Sequence, residues 1–238
     1  MDPRMRHRIL AAICLTTGLA LPSASGAGES PVVVELFTSQ GCSSCPPADA
    51  LLKSFAGRRD ILPLALHVDY WDYIGWKDTF GDPAHAERQR AYARHAGARM
   101  IYTPQIIVGG MEHIVGVKPG VLEKAIRMEA AAPDLVSLSL RPAGDKVEIS
   151  ARALGPIPDG TIVQLVRVRP SQTVDIGRGE NAGRTFTYSH IVTDWTRIGL
   201  WNGEAPFTRK ISAPGKDETV VIVQEPGPGR ILAAAVLR

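Results

Sequence analysis

Gln40-Gly41-Cys42-Ser43-Ser44-Cys45-Pro46-Pro47 decides the reading of this chain. An apolar run, Val32-Val33-Val34-Glu35-Leu36-Phe37, precedes it, and a helix-like run over residues 48–55 follows. Two thiols spaced C-x-x-C at a strand-to-helix junction can form or break a disulfide without unfolding the chain. A helix N-terminus also favours the thiolate, the reactive form, through its unpaired N–H groups and partial positive charge. Cys42 enters the turn first and is the expected nucleophile. Cys45, deeper in the first helical turn, is the expected resolving thiol.

Two other readings of the pair stand beside this one. A structural disulfide closing so short a loop stabilises by only ~2 kcal/mol, against roughly 4–5 kcal/mol for a loop of about 100 residues. A zinc site needs about four ligands, and two cysteines fall short. Cu(I) could accept two thiolates, with His67 as a third ligand. His85, His95, His113 and His190 are scattered and suggest no metal site, so neither metal nor cofactor is expected.

The 238 residues, 45% of them apolar, fit one large or two ordinary domains. The formal charge is +3 with no basic block, so nucleic acid is not an expected partner. The N-terminus reads as a signal peptide over residues 1–27. Arg4, Arg6 and Arg8 precede an apolar stretch at 9–21 that is too short to span a bilayer comfortably, and small residues lead up to Ala27. Cys14 lies in this stretch after Ile13, where a lipoprotein signal places a small residue, so no stable membrane anchor is expected after cleavage. The mature protein is expected to be exported, periplasmic or secreted, where a disulfide persists.

Strand-like and helix-like patterns alternate over residues 31–131 in the order β-α-β-α-β-β-α. A second apolar run covers 61–68. A helix is expected at 84–96, with Asp82 as cap and Pro83 at its first position. Two short runs around Gly109-Gly110 read as a hairpin, and a last helix opens at Pro119. Beyond Pro133 the helical period stops. About seven short alternating runs over 134–238 suggest an antiparallel β-sandwich domain.

That element order, with an X-Pro before the hairpin, resembles a thioredoxin fold. More closely, the chain resembles the exported thioredoxin-like proteins of domain-of-unknown-function family 1223. The matching stretches are residues 35–49, 67–78, Tyr102-Thr103-Pro104-Gln105 and 177–185. The resemblance implies an α/β thioredoxin-like domain followed by an all-β domain. It puts Cys42 and Cys45 in the nucleophile and resolving positions and makes Pro104 the cis proline. The Thr103 backbone would then lie beside the disulfide, able to pair with a bound peptide. The sequence departs from thioredoxins between the cysteines, where Ser43-Ser44 stands in place of a pair containing proline, and those residues help set the redox potential.

Parallel strands one and two bring their C-terminal ends to one edge. That edge is expected to gather His67, Asp69, Tyr70, Trp71, Asp72 and Tyr73, as an aromatic and charged substrate platform or as loop core. Glu35 interrupts an apolar strand, and a carboxylate buried there could relay a proton to Cys45. The stretch Gly177-Arg178-Gly179-Glu180-Asn181-Ala182 matches a dinucleotide pattern but lacks the strand-to-helix turn that pattern needs. It reads as a sandwich loop, which the resemblance allows to fold over the redox edge with Arg178 or Arg184 on an acidic group. The expected function is thiol–disulfide exchange with exported proteins or small thiols, with a possible recycling partner. The rival is a non-enzymatic binding protein whose disulfide is static or whose cysteines hold Cu(I).

Overall fold

The computed structural model describes residues 30–237, so the expected signal peptide lies outside the described residues. The elements run β1 (Val32–Thr38), α1 (Pro46–Lys53), β2 (Ile61–His67), a 3-10 turn (Asp72–Ile74), α2 (Pro83–His95), β3 (Gln105–Val108), β4 (Glu112–Val115) and α3 (Pro119–Ala130). Seven strands follow: β5 (Val136–Ala143), β6 (Lys146–Ala153), β7 (Thr161–Asp175), β8 (Thr185–Trp201), β9 (Phe207–Ser212), β10 (Glu218–Gln224) and β11 (Ile231–Leu237).

Local chemistry accounts for the boundaries. The Asp82 carboxylate accepts the Ala84 N–H at 2.8 Å and Pro83 opens α2, so the orphan donors of the first turn are met or absent. Pro46 and Pro47 occupy the first turn of α1, where an N–H would lack a helical partner, and Cys45 stands at its N-cap. Gly109 and Gly110 take φ of 58° and 79°, a turn that joins β3 to β4 and suits residues without a Cβ.

All seven residues of β1 are buried, and they alternate between two cores. Val32, Val34 and Leu36 pack under α1 and α3 with Ala48, Leu52, Leu122 and Ile126. Val33 and Phe37 face the other way, against Ala86 and Tyr92 of α2 and Val166, Val220, Ile222, Ile231 and Ala234 of the later strands. Burying side chains of this size contributes about 1.5–3 kcal/mol each before entropy is counted, so β1 is the fold's central axis.

The expectation of a thioredoxin-like α/β domain followed by a separate β-sandwich is overturned. Strands of both halves form one mixed sheet of eight in the order β11-β10-β7-β8-β2-β1-β3-β4. The junction is β8 running parallel to β2, with Ala65 opposite Ile191. The physical reason lies in β2, which is buried along its whole length. Its outer edge would be an open row of backbone donors and acceptors, and β8 covers it. The smaller sheet, β5-β6-β9, supplies only three strands. It packs Val136, Val147, Ile149 and Phe207 onto Val163, Leu165, Val221 and Leu232 of the large sheet. The large sheet also curls back on itself. Ile231 N–H donates to the Gly109 carbonyl at 2.8 Å, and Ser30 exchanges hydrogen bonds with Ala234.

Candidate functional site

The parallel pairing of β1 and β2 ends with Thr38 opposite His67, and the chain then turns into α1 through the cysteine pair. Cys42 and Cys45 are joined as a disulfide. Cys45 is fully buried and Cys42 is 2% exposed, while Ser43 and Ser44 between them lie open to solvent. The Cys42 sulfur has the Ser44 hydroxyl 3.4 Å away.

Three segments assemble around this loop. The first is the stretch after β2. His67 is buried and its Nδ1 lies 2.8 Å from Asp78 Oδ2, the same oxygen that accepts the Gln40 N–H at 2.7 Å. Asp78 Oδ1 accepts the Phe80 N–H. Burial opposes the charge on Asp78. The His67 ring beside it, with the Gln40 and Phe80 N–H groups, outweighs that cost and holds the carboxyl below its ordinary pKa. An ionised Asp78 makes Nδ1 the donor. Nε2 is then left buried with no hydrogen-bond partner among the described residues, between the edge-on rings of Phe80 and Tyr188.

The second segment is α1 itself. Asp49 is one turn beyond Cys45, and its N–H donates to the Cys45 carbonyl. Positions four apart lie on one helix face, so the Asp49 and Cys45 side chains are neighbours. The Asp49 carboxyl accepts the Thr38 hydroxyl at 2.8 Å. Burial pushes its pKa up to about 6, against the pull of His67 and Thr38 and with a further push from Asp78. Sequence reasoning missed both carboxylates. The i+4 spacing from Cys45 was the signal available for Asp49; Asp78 had none.

The third segment is the turn between β7 and β8. It folds over the disulfide loop, but through Asn181 and Glu180 rather than through an arginine on an acid. Arg184 donates to Asn181 Oδ1 and stacks on Phe186, and Arg178 is exposed.

The expected platform residues divide. Thr103–Pro104 is cis, and Pro104 is buried at the head of β3. Trp71 links this bond to the cysteine loop: its Nε1–H donates to Thr103 Oγ1 at 2.7 Å, and its Cβ lies beside Gly41. Tyr73 stacks on Trp71 with ring centroids 6.2 Å apart and is 79% exposed. Tyr70 turns inward to the α2 core and donates to Gln89 Oε1, and burial raises its pKa to about 12. Asp69 is half-buried and accepts the Asp72 N–H on its backbone. Asp72, its carboxyl pKa raised by burial, accepts the Asp78 N–H.

Glu35 requires correction. It is fully buried, but it shares the face of β1 that carries Val33 and Phe37, opposite to α1 and Cys45. Arg88 of α2 grips its two oxygens at 2.7 and 3.2 Å, and the Tyr92 hydroxyl donates to it at 2.5 Å. A carboxylate on the wrong face with its lone pairs taken cannot serve Cys45. Among the described residues there is no cluster of three or more side chains suited to a metal.

The fold has counterparts among solved structures. A crystal structure of a protein from Agrobacterium tumefaciens is 35% identical, covers 88% of this chain and 95% of its own, and superposes with a TM-score of 0.74. HBP35 of Porphyromonas gingivalis is 14% identical, covers 88% of this chain and 75% of its own with a TM-score of 0.65, and shares the fold alone. No curated protein matches the chain. The family model of DUF1223, described as a protein of unknown function, matches residues 33–224, from β1 to β10. With that span covering most of both cores, the cysteine pair and the turn above it, the chain belongs to the DUF1223 family.

Proposed function

We propose that this protein is an exported thiol–disulfide oxidoreductase that exchanges the Cys42–Cys45 bond with thiols of exported proteins or small molecules. The observation that carries the reading is the pairing of a short-loop disulfide at the head of α1 with Asp49, a carboxyl of raised pKa one turn further on. Such a loop adds little stability, and a half-buried acid poised near neutrality is suited to proton transfer.

In the oxidising direction a substrate thiolate attacks Cys42 Sγ. The Cys42–Cys45 bond breaks, and its electron pair stays on Cys45, which takes a proton from Asp49. A second substrate thiolate then displaces Cys42. The substrate dithiol becomes a disulfide, and the cysteine pair holds the two electrons until a recycling partner takes them. The reducing direction runs the same steps backward, with Asp49 receiving the proton of Cys45. His67, fixed by Asp78, supports the charge on Asp49. The basic start and short apolar stretch of the N-terminus support an exported location, periplasmic or secreted.

One observation favours a second reading, a binding protein with a static disulfide: neither sulfur is open to solvent. The reduction potential separates the two. A potential of about −100 to −270 mV and mixed disulfides captured through Cys42 in a Cys45→Ala variant are expected for an exchanger. A potential below about −300 mV with an empty trap would establish the static bridge instead.

A further inference from the structure

The β7–β8 turn, residues 176–184, makes more contact with the disulfide loop than a passive connection requires. Its ends are tied to each other: Ile176 N–H donates to the Arg184 carbonyl and Gly183 N–H to the Ile176 carbonyl. The turn is therefore preformed. From it Asn181, 1% exposed, sends both bonds of its Nδ2 amide into the redox loop, to the Gln40 carbonyl at 2.9 Å and the Cys42 carbonyl at 3.0 Å. Glu180 Oε2 accepts the Ser43 N–H at 3.3 Å. Gly177 lies against the Trp76 ring, where a Cβ would come within 3.1 Å of it, and Gly179 lies against the Trp76 Cβ and Ile74. Trp76 in turn donates to Gln40 Oε1 at 2.8 Å. The attachment is thus mainly polar, with the glycines allowing close seating.

Opening this turn uncovers the loop that holds Cys42 and takes the Asn181 amide from two carbonyls, leaving the Cys42 carbonyl only the Cys45 N–H at 3.3 Å. Buried acceptors left unpaired are costly, so a visitor that brings its own N–H groups opens the site more easily than one that does not. An extended peptide carries such groups at regular spacing.

We propose that Asn181 is a specificity-determining residue: its amide occupies the place of a substrate's backbone N–H groups, so that the pair accepts a cysteine within an extended peptide in preference to a thiol without donors. This rests on the exchange reading above. The reacting step is the same: the peptide thiolate bonds to Cys42 Sγ, the Cys42–Cys45 bond breaks toward Cys45, and Cys45 takes up the proton.

The test compares second-order rates of opening the disulfide by an unstructured cysteine-containing peptide and by methyl 3-mercaptopropionate, which has neither N–H nor O–H. In the wild type the peptide is expected to be faster by about tenfold or more at equal thiolate concentration, the size of one carbonyl left unpaired. In Asn181→Ala the carbonyls are free to take water, the donorless thiol ester gains most, and the ratio falls toward one. Arg184→Ala removes the Arg184 bond to Asn181 Oδ1 from an exposed position and leaves the redox loop untouched. It is expected to lower the ratio part of the way, and it keeps the test valid if Asn181→Ala does not fold. A ratio that stays the same in both variants overturns the role of Asn181 while leaving exchange intact. A disulfide that no thiol opens in any variant overturns exchange itself, and the proposal with it.

Discussion

Two polar clusters, one buried and one partly so, flank the same pair of strands, and they differ in how completely they are satisfied. On the α2 face, Glu35, Arg88 and Tyr92 are joined to Gln224, which reaches Gln164 and, through it, the Trp195 indole. Arg88 also lies 3.8 Å from the centre of the Trp195 ring. Every charge there has its counter-charge and hydrogen bonds. On the α1 face, Asp49, His67 and Asp78 stand together, with one imidazole nitrogen unpartnered among the described residues and one carboxyl pushed toward neutrality. A saturated cluster fixes geometry; an unsaturated one next to a disulfide can still move a proton.

Breaking the saturated cluster is expected to have the largest effect on stability. Arg88→Ala leaves Glu35 buried without its counter-charge, a loss of about 3–5 kcal/mol, to be read from the urea midpoint. A loss below about 1 kcal/mol would show that the cluster does not hold the fold. The unsaturated cluster is expected to behave in the opposite sense. The folded-state pKa of Asp49 lies above its unfolded value, so the folded protein binds more protons between about pH 4 and pH 6. Asp49 therefore costs nothing below pH 4, and stability falls as pH rises through 6. Asp49→Asn removes this fall and is expected to stabilise the protein by roughly 1–3 kcal/mol at pH 7, with no gain at pH 3.5. The same substitution should flatten the pH dependence of disulfide exchange near pH 6, while Glu35→Gln leaves that profile alone. If Glu35→Gln moved the profile and Asp49→Asn did not, the roles assigned to the two faces would be reversed. The smallest effect belongs to the exposed ring. Tyr73→Ala is expected to change stability by less than about 0.5 kcal/mol, and any larger change in exchange rate would mark Tyr73 as a substrate contact.

The same contrast explains what could be read from the residues alone. The cysteine loop, the Asp82-Pro83 helix start, the Gly109-Gly110 hairpin and the seven later strands are written in neighbouring residues, where turn chemistry and periodicity act. The union of the two halves is not. β2 is buried on both faces, so its sequence carries no alternation to announce a further neighbour, and the junction with β8 rests on the single opposed pair Ala65 and Ile191. Glu35 was legible as a buried carboxylate, but its face was not, because that depends on α2 crossing beneath it. Asp78 looks like any loop aspartate until the fold sets it against His67. Asn181 sat inside a glycine-rich stretch whose resemblance to a nucleotide motif was the wrong feature to weigh.

The curl of the large sheet makes its last strand a clasp on its first. The last strand delivers Ile231 and Ala234 to the core that holds Val33 and Phe37, and it ties Ile231 to Gly109 and Ala234 to Ser30. The core between β1 and α2 is therefore complete only once β11 is in place. Loosening β11 would therefore be felt across the sheet, at the β3–β4 turn and at the start of β1, and not only at its own edge.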